Sequence, residues 1–144
     1  MEIVSCILYL FMKIKRSIID NIIVHAKGGI PIEMCGYLAS QDGVVTKHYE
    51  LTNVDNSEDH FTFDPKEQFE TLKDARNKGL EVCAVYHSHP VTPARPSEED
   101  IKLAYDPNIS YVIVSLANGE CDVKSFKIKD SQVLPEDIEI VENS

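Results

Sequence analysis

Basic residues are scarce in this sequence. Fourteen Lys and Arg stand against 24 Asp and Glu in 144 residues, a formal charge of −10. Neutralising a phosphate backbone needs clustered Lys and Arg, so a general nucleic-acid binder is excluded. Cysteine occurs four times, at Cys6, Cys35, Cys83 and Cys121, but never as a C-x-x-C pair and without a secretory leader. The expectation is reduced thiols in a cytoplasmic protein. Long apolar runs are also missing, since a membrane helix needs about 20 consecutive apolar residues. The one candidate, Ile3 to Phe11, follows Glu2 and precedes Lys13, Lys15 and Arg16, the reverse of the charge order in a signal peptide. Residues 1–11 are therefore read as an apolar N-terminal extension with no membrane role. If ordered as a strand, its apolar edge would need a partner, which makes a homodimer an expectation.

Repeats, low-complexity blocks and Pro/Gly/Ser linkers are absent too, so residues 12–129 read as one domain. The 43% hydrophobic and 26% charged composition of the whole 144-residue sequence is that of a soluble globular fold with a real core. Residues 130–144 carry five acids and no base and are expected to be a solvated, partly frayed tail.

Within the domain, Ile18, Ile19, Ile22, Ile23 and Ala26 recur at helical spacing before Gly28-Gly29, which predicts a helix over Ser17 to Lys27. Met34 to Ala39 and Val44 to Leu51 read as a hairpin about Gln41-Asp42-Gly43. Asp64-Pro65-Lys66-Glu67 opens a second helix with a cap, a first-turn proline and a glutamate three residues on, and Gly79 closes it. Val82 to Tyr86 suits a central strand. A loop with Pro90, Pro93 and Pro96 leads to a third helix from Ser97 through Tyr105. Tyr111 to Leu116 and Cys121 to Ile128 form a second hairpin about Asn118-Gly119. Irregular alternation of helices and strands with two hairpins indicates an α/β or α+β fold, a mixed sheet sandwiched by helices.

The chemistry concentrates at His87-Ser88-His89 and at Ser97 and Asp100. Residues two apart on a strand point the same way, so two imidazoles can meet at one point. Asp100 can return there from the first turn of the next helix. Two imidazoles and a carboxylate suit tetrahedral zinc, and three protein ligands leave the fourth position open, as catalytic rather than structural zinc sites do. Such a hydrolase also needs a base near the metal but not on it. Glu33 borders an apolar run, and burial there would raise its pKa towards proton shuttling. Other readings stay open on local grounds. Ser97-x-x-Asp100 is by itself a capping box, Glu33 could be an exposed loop residue, and an H-x-H pair alone is modest support for a metal site. Cys35 and Cys83 read as small core thiols, and His25 and His60 as structural or solvated.

Taken together, Glu33, His87-x-His89-Pro90 and Ser97-x-x-Asp100 resemble the JAMM motif of the MPN (Mov34/PAD-1) metalloproteases, H-x-H, seven residues, S-x-x-D. Pro31-x-Glu33-x-Cys35-Gly36-Tyr37-Leu38 resembles the P-x-E-x-C-G-x-L signature of prokaryotic members, and the likeness spans about Met12 to Ile128. The resemblance implies a cytidine-deaminase-like MPN fold and one zinc per chain on His87, His89 and Asp100. It implies Glu33 as general base and proton shuttle and Ser97 as hydrogen-bond donor to the oxyanion. It further implies hydrolysis of a peptide or isopeptide bond at the C-terminus of a ubiquitin-like or sulfur-carrier protein. Two other functions remain compatible with it: a non-catalytic MPN scaffold that binds partners, and a zinc hydrolase of a small-molecule amide. All five motif positions are present, whereas scaffold members typically lack one or more.

Overall fold

The computed structural model describes residues 10–142. The chain runs β1 (Phe11–Lys15), α1 (Arg16–Gly28), β2 (Cys35–Gln41), β3 (Val44–Leu51), α2 (Pro65–Asn77), β4 (Glu81–His89), α3 (Glu98–Lys102), β5 (Ser110–Ser115), β6 (Asp122–Lys129) and β7 (Gln132–Val141). The seven strands form one mixed sheet in the order β1-β3-β2-β4-β5-β6-β7, which closes on itself through β7 and β1. Apart from Leu10 and Phe11, the apolar run Ile3–Phe11 lies outside the described residues. Phe11 itself opens β1, one residue inside the stretch read as an extension. Among the described residues, no helix is long and apolar enough to cross a membrane.

Strand alternation divides the molecule. On one face Ile14, Leu38, Val45, Ala84, Tyr86, Val112 and Val114 pack against Ile18, Ile19, Ile22 and Ala26 of α1. This burial stabilises α1 far more than helix propensity could in a run rich in β-branched isoleucine. On the other face, Ile113, Phe126 and Ile128 form a smaller cluster with Ala94, Ile101 and Ala104. The mixed sheet between helices is thus as expected from the sequence. The β2–β3 turn also has the predicted chemistry, with positive φ at both Asp42 and Gly43 as a type I′ hairpin requires. Gly36 is fixed by close approach, because a Cβ there would lie 2.0 Å from the Tyr49 carbonyl oxygen and 2.5 Å from the Tyr86 ring.

Three expectations need correction. The acidic segment after Asp130 is not a frayed tail. Gln132–Val141 is β7, antiparallel to β6 and parallel to β1. Its Val133 joins the smaller cluster and its Ile138 the larger one, while Asp137 and Glu139 face solvent and Glu136 is buried and hydrogen-bonded. Secondly, Asp64 caps α2 by accepting from the Lys66 N–H, but Glu67 does not complete a capping box. Its carboxylate instead accepts from the Thr52 N–H and Oγ1–H at 2.7 and 2.8 Å, tying α2 to the end of β3. Thirdly, α3 stops at Lys102 rather than Tyr105. Beyond Leu103 the helical ladder is lost, since the Ala104 N–H donates to the Ile101 carbonyl and the Tyr105 N–H to the Leu103 carbonyl instead of to residues four back.

Candidate active site

Strand β4 runs on past Tyr86 to His89, so both histidines sit on the sheet itself, paired with Ile113 and Ser115 of β5. His87 and His89 share the face opposite α1. Ser88, pointing the other way, accepts the Met34 N–H at 2.8 Å, and its own N–H donates to the Met34 carbonyl at 2.9 Å. That exchange locks the segment after Glu33 to the histidine strand. Asp100 arrives from α3, where it and Ser97 form a reciprocal capping box. The Ser97 N–H donates to Asp100 Oδ2 at 2.9 Å and the Asp100 N–H to Ser97 Oγ at 3.0 Å. Capping therefore does not compete with placing the carboxylate at the histidines. It holds that carboxylate rigid.

The structure brings the three expected metal donors together. His87 Nε2, His89 Nε2 and Asp100 Oδ2 stand 3.1, 3.2 and 3.1 Å from one another. Donors on a tetrahedral ion at about 2.0–2.1 Å would be about 3.3–3.4 Å apart, so the group fits a small cation with little rearrangement. Proton placement leads to the same conclusion. His89 Nδ1 lies 2.9 Å from the Pro93 carbonyl oxygen, which can only accept, so Nδ1 carries the hydrogen. In the neutral ring Nε2 then presents a lone pair to a carboxylate oxygen. A second proton or a cation between them relieves that clash, and a carbonyl fixing the distal nitrogen is what metal-ligating histidines commonly have. Burial pushes the Asp100 carboxyl up, but the two imidazoles and the Ser97 N–H outweigh it and hold the group well below the usual carboxylate range. His87 is also packed by the Phe61 ring, stacked on it at 4.7 Å.

Glu33 lies between α1 and β2 and is buried, with 4% of its surface exposed. Its Oε1 has no hydrogen-bond partner, the one such buried side-chain atom among the described residues. Burial pushes its pKa up to about 8, with His89 opposing and Asp100 adding to the shift. A raised pKa brings the group's proton exchange towards neutrality, where it can both take up and release a proton. The expected exposed-loop alternative for Glu33 does not hold. Ser97 is exposed at the start of α3, and its Oγ acts in the cap only as an acceptor, which leaves its hydroxyl proton available.

Beside His87 and Asp100 opens a cavity of about 390 Å³. Its floor is the same sheet face, Tyr37, Val85, Tyr111 and Ile113, and its walls are Phe61 and Phe63 from the loop before α2 and Leu103 and Tyr105 after α3. Sequence reasoning missed Phe61, Asn53 and His60 as parts of this site. Asn53 is buried and bonded to the Glu33 main chain, and His60 lines the cavity between Asp55 and Asp59. An asparagine opening a polar loop was the only local signal.

The cysteines are remote in chemistry. Cys35 is fully buried, its thiol donates to the Leu51 carbonyl, and burial pushes its pKa up to about 12, which disables it as a nucleophile. Cys83 is half-buried against the Leu38 carbonyl and Cys121 is exposed. Cys6 lies outside the described residues. His25 is structural, with Nδ1 2.7 Å from the Tyr86 hydroxyl.

Residues 15–129 match the family model described as prokaryotic homologs of the JAB domain. A CysO-cysteine peptidase from Mycobacterium tuberculosis is 31% identical over 132 residues, 90% of this chain and 90% of that protein. A desampylase from Haloferax volcanii is 33% identical over 103 residues, 67% of this chain and 74% of that protein. A solution structure of a protein from Desulfitobacterium hafniense superposes with a TM-score of 0.84 at 40% identity, covering 92% of this chain and 94% of that one. With the motif positions gathered as described, the chain belongs to the prokaryotic branch of the JAB domain family, the JAMM/MPN group.

Proposed function

We propose that this chain is a zinc-dependent peptidase or isopeptidase that hydrolyses the bond at the C-terminus of a ubiquitin-like or sulfur-carrier protein. The observation that carries the reading is the meeting of three donor atoms at 3.1–3.2 Å, with the His89 tautomer fixed by Pro93. His87, His89 and Asp100 would hold one zinc ion. Zinc when bound supplies Lewis acidity and an activated water at neutral pH.

The remaining steps belong to the chain. Glu33 accepts the proton of the attacking water at its carboxylate and delivers it to the departing amine. Its unpartnered Oε1 and raised pKa suit both halves of that transfer. The Ser97 hydroxyl donates to the carbonyl oxygen as negative charge grows there, from a backbone already fixed by the capping box. The cavity beside His87 gives an apolar seat for part of the substrate next to the reacting bond and limits water there. The relatives named CysO-cysteine peptidase and desampylase, and one named as a probable TtuB-protein conjugate cleaving protease, support the substrate class. A non-catalytic scaffold would have no use for a buried carboxyl without a partner.

The test uses a reporter joined to three donors: a folded ubiquitin-like carrier ending in Gly-Gly, its terminal peptide alone, and a simple glycine amide. Release from the folded carrier at a rate well above the other two is expected. Equal turnover of all three would replace the reading with hydrolysis of small amides, and no turnover by zinc-loaded protein would point to a scaffold.

A further inference from the structure

We propose that Asn53 is a positioning residue for this reaction, a buried carboxamide that fixes Glu33 relative to His87. The inference rests on the functional reading above but on different residues.

Asn53 uses its full hydrogen-bonding capacity. Its Nδ2 donates to the Glu33 carbonyl at 3.0 Å and to the His60 carbonyl at 2.9 Å. Its Oδ1 accepts from the Asp55 N–H at 3.1 Å and the Thr62 N–H at 3.2 Å. A primary amide has two N–H donors and an oxygen with two lone pairs, and here each is matched. No other side chain of this size offers the same set. Aspartate would turn an acceptor towards two carbonyl oxygens, and alanine would strand all four partners.

The partners explain what this achieves. His60 and Thr62 lie at the far end of the loop that Asn53 begins, and Asn53 also bridges Phe63 across its base. The amide thus closes the loop and ties it to the main chain of Glu33, 20 residues upstream. The loop returns the contact, since the Glu33 N–H donates to the Ser57 carbonyl at 2.9 Å. Both main-chain polar groups of Glu33 are therefore held by one loop and its base. The same loop carries Phe61, stacked on His87. The span from Glu33 to the His87 ring is one body with Asn53 at its root. Asn53 bonds to the backbone of Glu33 rather than its carboxylate, so its effect on the reaction passes through position alone.

The experiment replaces Asn53 in the full chain with Asp and with Ser. The serine variant keeps a donor and an acceptor, so folded material does not depend on the harsher change. Two readouts are taken. In the metal-free protein, amide hydrogen exchange at Glu33 and Thr62 should accelerate about tenfold or more, while the β4 amides keep their protection. In the zinc-loaded protein, kcat should fall about 10–100-fold with KM within about twofold and zinc content unchanged, the size seen when groups that orient a metal site are lost. Unchanged exchange at Glu33 would overturn the proposal. So would faster exchange with kcat within about twofold of the parent, which is what a merely structural loop clamp gives. If the parent hydrolyses no carrier at all, the functional reading fails, and the exchange arm still decides whether Asn53 holds Glu33.

Discussion

Two glutamates are buried among the described residues, and their surroundings differ. Glu136, on the seam where β7 closes the sheet, accepts hydroxyl hydrogens from Ser110 and Ser125, both at 2.6 Å. Glu33, beside the histidine pair, leaves Oε1 without any partner. A buried acid supplied with donors works as a staple between strands. A buried acid denied them is held in an unfavourable state, and a fold keeps such a group where its proton has a use. The seam lowers the energy of the folded chain, and the site spends some of that stability.

Three substitutions test this contrast. The largest effect is expected from Glu33→Gln, which keeps shape but cannot carry the proton. Hydrolysis should fall on the order of 10³-fold, within the range general acid–base groups supply, while zinc content stays at that of the parent. Next is Ser97→Ala, with a loss of about 10²-fold or more in kcat from the missing donor and about 1 kcal/mol of stability from the lost cap. Denaturant unfolding of the same protein separates the two losses. Glu136→Ala reverses the pattern. It strands two buried hydroxyls and should cost roughly 2–4 kcal/mol in urea unfolding, with kcat per folded molecule unchanged. A comparable loss of kcat would mean that the seam is not separate from the site.

The smallest expected effect is the stability of Glu33→Gln itself. In the metal-free protein the folded-state pKa of Glu33 is raised to about 8, against about 4.3 in an unfolded chain. Between those values the folded chain keeps a proton that the unfolded chain has released. The parent therefore loses stability as pH rises through that window, and Gln removes the loss. The Tm of Glu33→Gln should exceed that of the parent by a margin that grows from about pH 5 to about pH 8. A margin independent of pH would show that Glu33 is not held protonated.

The contrast also separates what could be read from the sequence from what could not. The histidine pair was legible because strand alternation is local, and Asp100 because a serine cap three residues earlier fixes the first turn of α3. Asp42-Gly43 was legible because few residues tolerate positive φ at both turn positions. β7 was hidden by its own charge, since Asp137 and Glu139 face solvent while Glu136 turns inward to serines on β5 and β6. Counting acids cannot distinguish these. Glu67 illustrates the same limit, because its capping partner and Thr52 compete and only the packed fold decides. Phe61 on His87 and Asn53 on Glu33 are contacts across 26 and 20 residues, made by a loop with no periodicity of its own.

If His87, His89 and Asp100 form a zinc site, hydrolysis depends on the ion they hold. The deciding measurement is the zinc content of one preparation, taken alongside cleavage of a carrier fusion before chelation, after it, and after zinc is restored. About one zinc per chain is expected, with loss of cleavage on its removal, recovery on its return, and no zinc uptake by His87→Ala. Cleavage at the parent rate by fully metal-free protein would contradict that dependence.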